Sequence, residues 1–217
     1  MGKVHPAGRR PAGFFAAQDK EVLSLDMKEV QGVLQEAGVY KHGHFQFTSG
    51  LHSDIYLEKF QVMQYPKYTE ILCAEMARRT KHLKPDVIIG PAVGGIILAY
   101  EVGRQLGCRA LFTERVEGKM QLRRGFSVAP GERILLVEDI VTTGGSALEV
   151  LDAARPLEAV VVGITCLVDR SDGQVQFPVE FYPLLSMDIK SWDPKDCPLC
   201  KQKVPLVIPG SRQLQYI

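Results

Sequence analysis

A chain of 217 residues suits one domain with an appendage, and 46% apolar against 24% charged residues are globular values. They exclude wholesale disorder, a collagen-like repeat and a disulfide-framework miniprotein. With 26 Lys plus Arg against 25 Asp plus Glu the formal charge is +1, so the overall basic footprint of non-specific nucleic-acid binding is missing and no nucleic-acid partner is expected. Five cysteines, at positions 73, 108, 166, 197 and 200, are too sparse and too odd in number for a secreted framework; a reducing, cytoplasmic setting is expected. The longest apolar runs, Gly94 to Tyr100 and Val160 to Cys166, fall far short of the roughly 20 residues that span a bilayer, so no membrane partner is expected.

Residues 1–24 carry Arg9 and Arg10 before a short apolar patch broken by Pro6, Pro11 and Asp19, which reads as a loosely ordered leader, with an organelle-targeting peptide as the alternative. Residues 25–65 form an N-terminal helix and hood. Asp26 followed by Glu29 resembles a capping box, and Met27, Val30, Val33, Leu34 and Ala37 recur at helical spacing before Gly38. Phe45 to Thr48 and Asp54 to Phe60 read as two strands of a hairpin around Ser49-Gly50. Pro66 suits a first helical position and starts a helix to about His82. The core, residues 66–190, then alternates: strand Asp86 to Gly90, loop Pro91 to Gly95, helix Ile96 to Leu106, strand Ala110 to Glu114, strand Arg133 to Val137, helix Ser146 to Arg155 and strand Ala159 to Val168. Arg115 to Pro130 shows little apolar periodicity. Short apolar runs separated by helices predict an α/β fold: an open, mainly parallel twisted sheet with helices on both faces and ligands at the carboxyl ends of its strands. Residues 191–217 form a tail with Pro and Cys punctuation.

The segment Ile134-Leu-Leu-Val-Glu-Asp-Ile-Val-Thr-Thr-Gly-Gly-Ser146 carries the most chemistry. A hydrophobic strand delivers two carboxylates, Glu138 and Asp139, and a Thr-Thr-Gly-Gly-Ser turn then opens a helix. Glycines let backbone N–H groups converge, hydroxyls add donors and the helix N-terminus adds its positive dipole end, which together make a phosphate cradle. Carboxylates beside a phosphate cradle imply a ligand with hydroxyls, or a metal, next to its phosphate. The segment contains neither a Walker lysine nor GxGxxG.

This segment resembles the phosphoribosyl pyrophosphate (PRPP) motif of the type I phosphoribosyltransferases. The resemblance implies that Glu138 and Asp139 hold the ribose hydroxyls, that Thr142, Thr143, Gly144, Gly145 and Ser146 hold the 5′-phosphate, and that Ile140 and Val141 between them belong to the same PRPP-binding segment. Gly90-Pro-Ala-Val-Gly-Gly95 is similar to the family's pyrophosphate loop, which places the amides of Val93, Gly94 and Gly95 on the diphosphate. Arg115-Val-Glu-Gly-Lys-Met-Gln-Leu-Arg-Arg-Gly125 resembles the catalytic loop; four cations against Glu117 give it a local excess of +3. Magnesium is the implied cofactor, bound largely through the diphosphate, and a homodimer with shared active sites is the implied assembly.

Two segments bear on the acceptor. Phe45-Gln-Phe-Thr-Ser-Gly-Leu-His-Ser-Asp-Ile-Tyr56 resembles the hood of orotate phosphoribosyltransferases, and Cys166-Leu-Val-Asp-Arg170 ends a strand as that branch's Asp-Arg pair does. The resemblance implies Arg170, Thr142, Tyr56 and Ser49 as the orotate site, with Arg170 donating two parallel hydrogen bonds to the carboxylate. The family pattern has lysines where this chain has Thr48 and Gly94, and its catalytic loop carries a Lys-Asp-His stretch missing here. Lys119 is the nearest equivalent, with Arg115 beside it and Arg123 and Arg124 as substitutes; Lys119, Arg115, Glu138 and Asp139 are the expected catalytic set. These departures suggest a divergent orotate branch, the alternatives being an enzyme for xanthine or adenine, or a PRPP-sensing regulator without turnover. Cys197-Pro-Leu-Cys200 supplies two possible zinc ligands and needs His42, His44 or a second subunit to complete a site; otherwise the tail is a structural packing element. Cys73, Cys108 and Cys166, in apolar contexts, read as buried small hydrophobes.

Overall fold

The computed structural model describes residues 24–171 and 173–209, so the leader, apart from Ser24, and the last residues of the tail lie outside the described part. The first helix, α1 (Met27–Glu36), starts with both halves of the capping box: Asp26 Oδ1 accepts from the Glu29 amide and Glu29 Oε2 accepts from the Asp26 amide, each at 2.8 Å. Val30 and Leu34 bury its apolar stripe. Strands β1 (Tyr40–Gln46) and β2 (His52–Leu57) pair antiparallel as a separate two-stranded hairpin, the hood. A short helix α2 (Phe60–Met63) leads to α3 (Pro66–Thr80), whose first residue is proline.

Six strands make the main sheet: β3 (Val87–Pro91), β4 (Arg109–Val116), β5 (Lys119–Leu122), β6 (Arg133–Val141), β7 (Val160–Asp169) and β8 (Phe181–Ser186). Their order is β5-β4-β3-β6-β7-β8, parallel except for β5. The expected mainly parallel sheet is therefore present. Two helices complete the crossovers, α4 (Gly94–Leu106) between β3 and β4 and α5 (Gly145–Ala154) between β6 and β7. One core layer joins Ile88, Leu135, Val137 and Leu167 to side chains of α1, α3 and α4; the opposite layer joins Val87, Ile89, Ile134, Leu136 and Ile164 to Ala147, Val150 and Ala154 of α5. Neighbouring strand residues thus feed opposite faces, and both faces carry helices.

The structure extends the sequence expectation in two places. Residues 115–122 are not an irregular loop: β4 turns at Glu117 and Gly118, both with positive φ, and returns as β5. Such a turn matches the twist of an antiparallel pair. Strand β8, with Pro183, occupies the sheet edge, where proline is tolerated. Fully buried Glu75 on α3 ties this edge down, since Arg78 and Arg79 both grip its carboxylate and Arg79 continues to the carbonyls of Pro183, Leu184 and Leu25. Among the described residues no helix is long and apolar enough to cross a membrane.

Candidate active site

Strands β3 and β6 are neighbours, yet the chain leaves β3 through α4 toward one edge of the sheet and leaves β6 through α5 toward the other. The loops at their carboxyl ends therefore part and leave a crevice, the place where open α/β sheets bind ligands. Two adjoining cavities fill it. The first, about 260 Å³, runs along residues 140–147 from Glu138; the second, about 370 Å³, lies between the 91–94 loop, the acidic pair and Lys59.

In the first cavity Gly144, at φ 73°, precedes α5 without any side-chain cap on the helix's first turn. A Cβ at Gly144 would lie 2.7 Å from Val175 Cγ1, so both its conformation and its surroundings require glycine. Amides of the opening turn are left to face the cavity, as an anion site requires. Thr142 and Thr143 are exposed at its mouth.

The acidic pair sits inside β6 and both members are buried, Glu138 at 6% and Asp139 at 3% exposure. The Asp139 amide donates to Glu138 Oε1 at 2.9 Å. Burial, reinforced by the Asp139 charge, pushes the Glu138 carboxyl up to about 8. Lys59, just after the hood, pairs with Asp139 Oδ2 at 2.6 Å. Sequence reasoning missed Lys59: it lies 80 positions before its partner, and only the docking of the hood onto the sheet brings the two together. Across the second cavity, a Cβ at Gly94 would collide with the Asp139 carboxylate, coming within 2.8 Å of its Cγ. A lysine here, as in the family pattern, is incompatible with this placement of Asp139. Val93 is exposed at the lip, Gly95 is buried, and a Cβ at Gly90 would strike the backbone carbonyl of Gly95, so strand and loop approach at a separation only glycine allows.

Arg170 follows β7, its amide bound to the Val141 carbonyl at 2.8 Å, and its guanidinium stacks 4.4 Å from the centre of the Phe47 ring. The buried Arg170 Nε has no hydrogen-bond partner, and burial pulls the pKa of the group down. An orphaned guanidinium donor is costly unless a ligand satisfies it. Tyr56 packs 5.7 Å from Phe45, and burial raises its phenol while the charges of Arg170, Lys59 and Asp139 all act on it. Ser49 is exposed at the hairpin turn, where its Oγ accepts from the Leu51 amide. Phe47 was a further residue missed, since an aromatic in a hood turn gives no sign of which cation it will meet.

Arg115 and Lys119 line neither cavity. Arg115 donates to the Gly118 carbonyl across the hairpin turn and pairs with Glu149 of α5 at 2.6 Å; Lys119 is exposed. Arg124 pairs with Glu114, and Arg123 is exposed. None of the four cations of the hairpin thus lines either cavity of its own chain. Cys197 and Cys200 also lie away from the crevice, against His44 and His52 of the hood, whereas His42 is exposed and outside that group.

A sheet of this order, with a buried acidic pair and a glycine-rich turn ending a central strand, is the architecture of a phosphoribosyltransferase. The family model described as the phosphoribosyl transferase domain matches residues 69–195. An orotate phosphoribosyltransferase of Thermoanaerobacter sp. (strain X514) is 51% identical over 189 residues, 87% of this chain and all of that protein. The chain belongs to the phosphoribosyltransferase family, in the branch of those orotate relatives. Solved structures agree on the fold: orotate phosphoribosyltransferase of Mycobacterium tuberculosis H37Rv in complex with inorganic phosphate has a TM-score of 0.61 at 22% identity, covering 74% of this chain and 95% of that one. An adenine phosphoribosyltransferase from Leishmania tarentolae reaches 0.59 at 16% identity, covering 76% and 90%, so the fold alone does not select the base.

Proposed function

We propose that the protein transfers the phosphoribosyl group of PRPP to orotate, giving orotidine 5′-monophosphate and pyrophosphate. The observation that carries this choice of base is Arg170: a half-buried guanidinium at the end of β7, stacked on Phe47 with its buried Nε unpartnered. A planar carboxylated pyrimidine satisfies that donor and can lie against the aromatic hood; adenine offers no carboxylate.

In the reaction the bond from ribose C1 to the diphosphate oxygen breaks, its electron pair leaves with the diphosphate, and ionised orotate N1 supplies the pair for the new bond. Positive charge grows on the ribose ring and negative charge on the leaving group, so the task is positional and electrostatic. Glu138 and Asp139 accept from the ribose 2′ and 3′ hydroxyls and face the growing cation. The turn at 142–146 and the first amides of α5 hold the 5′-phosphate. Val93, Gly94 and Gly95 present backbone amides to the diphosphate, and Lys59, poised on Asp139, is its nearest cation. Arg170, Thr142, Tyr56 and Ser49 bound the orotate end.

Magnesium would accompany the diphosphate, held mainly through it, and would neutralise part of its charge. The donor set fits that role: the crevice offers two carboxylates rather than an all-protein cage. Lys119 and Arg115 act on the leaving group of a neighbouring subunit in a homodimer located in the cytoplasm. Their absence from the lining of both cavities of their own chain supports that arrangement, as do the exposed apolar side chains of Val93 at the crevice lip and of Ile97 and Tyr100 on α4. The test is incubation with PRPP and Mg²⁺ plus orotate, xanthine or adenine in turn, following base loss by absorbance. Orotate alone should be consumed; PRPP binding without consumption of any base refutes the enzymatic reading.

A further inference from the structure

The tail closes on the hood through backbone and side chain together. His52 and Trp192 exchange both amide-to-carbonyl bonds at 2.8 Å, the Gln46 amide donates to the Val207 carbonyl at 2.9 Å and the Val207 amide to the His44 carbonyl at 2.8 Å. Within this junction His44 of β1, His52 of β2 and the two cysteines flanking Pro198-Leu199 turn their ligand atoms toward one point, all within 4.8 Å of one another. His44, His52 and Cys197 are buried at 2%, 4% and 0% exposure.

The distances between donor atoms are close to those of a coordination shell. His44 Nε2 lies 3.5 Å from Cys197 Sγ and 3.7 Å from Cys200 Sγ; His52 Nδ1 lies 3.3 Å from Cys200 Sγ; the two imidazole nitrogens are 2.9 Å apart. Tetrahedral bonds of about 2.3 Å to sulfur and about 2.05 Å to nitrogen place an S···N pair about 3.6 Å apart and an N···N pair about 3.3 Å apart. Hydrogen bonding among the four residues does not account for the cluster. The Val204 carbonyl, 2.8 Å from His44 Nδ1, takes that ring's proton, which leaves Nε2 a single lone pair facing three heavy atoms. A backbone acceptor on the far nitrogen is also what orients a metal-bound histidine.

We propose that His44, His52, Cys197 and Cys200 bind one zinc ion that clasps the hood to the C-terminal segment. Thiolate and imidazole donors favour zinc over magnesium or calcium, and four protein ligands leave no position open for catalysis, so the ion is structural. It is separate from the magnesium of the crevice and does not depend on which base the enzyme uses. Its effect reaches the crevice through the hairpin, whose β1–β2 turn carries Phe47 and whose β2 strand carries Tyr56.

The test is metal analysis of the full-length chain, purified anaerobically after growth with zinc. One zinc per chain is expected, and Cys200→Ser and His52→Ala should lose it while His42→Ala keeps it. Cobalt exchanged into the wild type should show the strong visible bands of a tetrahedral ion and a thiolate charge-transfer band. Stripping the metal from the wild type with a chelator should lower its melting temperature by ~10 °C, restored by zinc, a readout that needs no variant to fold. A metal-free chain whose melting temperature ignores both chelator and zinc, a Cys197–Cys200 disulfide in the anaerobic protein, or equal loss of metal from His42→Ala overturns the proposal.

Discussion

Glu138→Gln should stabilise the protein, and more so as the pH rises. In the folded chain burial and the Asp139 charge move the Glu138 carboxyl from 4.5 to about 8, so between those values the folded state binds a proton that the unfolded state has released. Stability then falls with rising pH across that window: it is fully present below about 4.5 and lost progressively until pH 8 is passed. At about 1.4 kcal/mol per pH unit the deficit is small at pH 5, larger at pH 7 and amounts to a few kcal/mol above pH 8. Glutamine keeps a carbonyl oxygen for the Asp139 amide and has nothing to ionise. Urea unfolding of both proteins at pH 5, 7 and 9 should give midpoints that diverge in that order, with the variant the more stable. Parallel pH profiles would refute the reasoning. Ribose hydroxyls donate to the ionised form, so PRPP binding to the wild type near pH 7 should release a proton, seen as a calorimetric heat that varies with buffer ionisation enthalpy, and the variant should lose that dependence.

Lys59→Met removes the cation 2.6 Å from Asp139 and should reduce kcat/KM for PRPP ~10- to 100-fold with little change in the KM for orotate; steady-state kinetics showing equal losses for both substrates would remove Lys59 from the diphosphate end. Arg170→Ala should do the converse, weakening orotate and sparing PRPP in the same assay. Gly90→Ala puts a methyl group against the Gly95 backbone and should cost about 2 kcal/mol of stability by urea unfolding as well as activity, since backbone cannot give way as a side-chain tip can. Lys119→Ala should lower kcat far more than it raises the KM for PRPP; an unchanged kcat refutes a role in the transition state.

What was legible in the sequence was local. The Asp26–Glu29 box, Pro66 at a helix start and the strand-turn-helix of 134–146 each depend on neighbours a few positions apart, and the structure forms each of them. Strand β5 escaped because Met120 and Leu122 give only two apolar alternations, too few to outweigh the surrounding charges, although Glu117-Gly118 was a turn signal in plain view. Lys59, Phe47 and His52 escaped for a different reason: each acquires its partner only when the hood docks. His42 and His44 were equal candidates as sequence, and the bulge between His42 and Phe45 falls where one histidine turns inward and the other stays in solvent.

The junction of hood and tail also bears on the order in which the chain can assemble. His44 and Cys197 are 153 positions apart, and the whole main sheet lies between them. Closing so long a loop is slow and is rewarded only at the end. During vectorial synthesis the acidic pair and the glycine-rich turn leave the ribosome well before Cys200 does, so the Phe47–Arg170 stack is fixed after them. Pulse-labelled hydrogen exchange during refolding should therefore protect the amides of β3 and β6 before those of His52 and Val207.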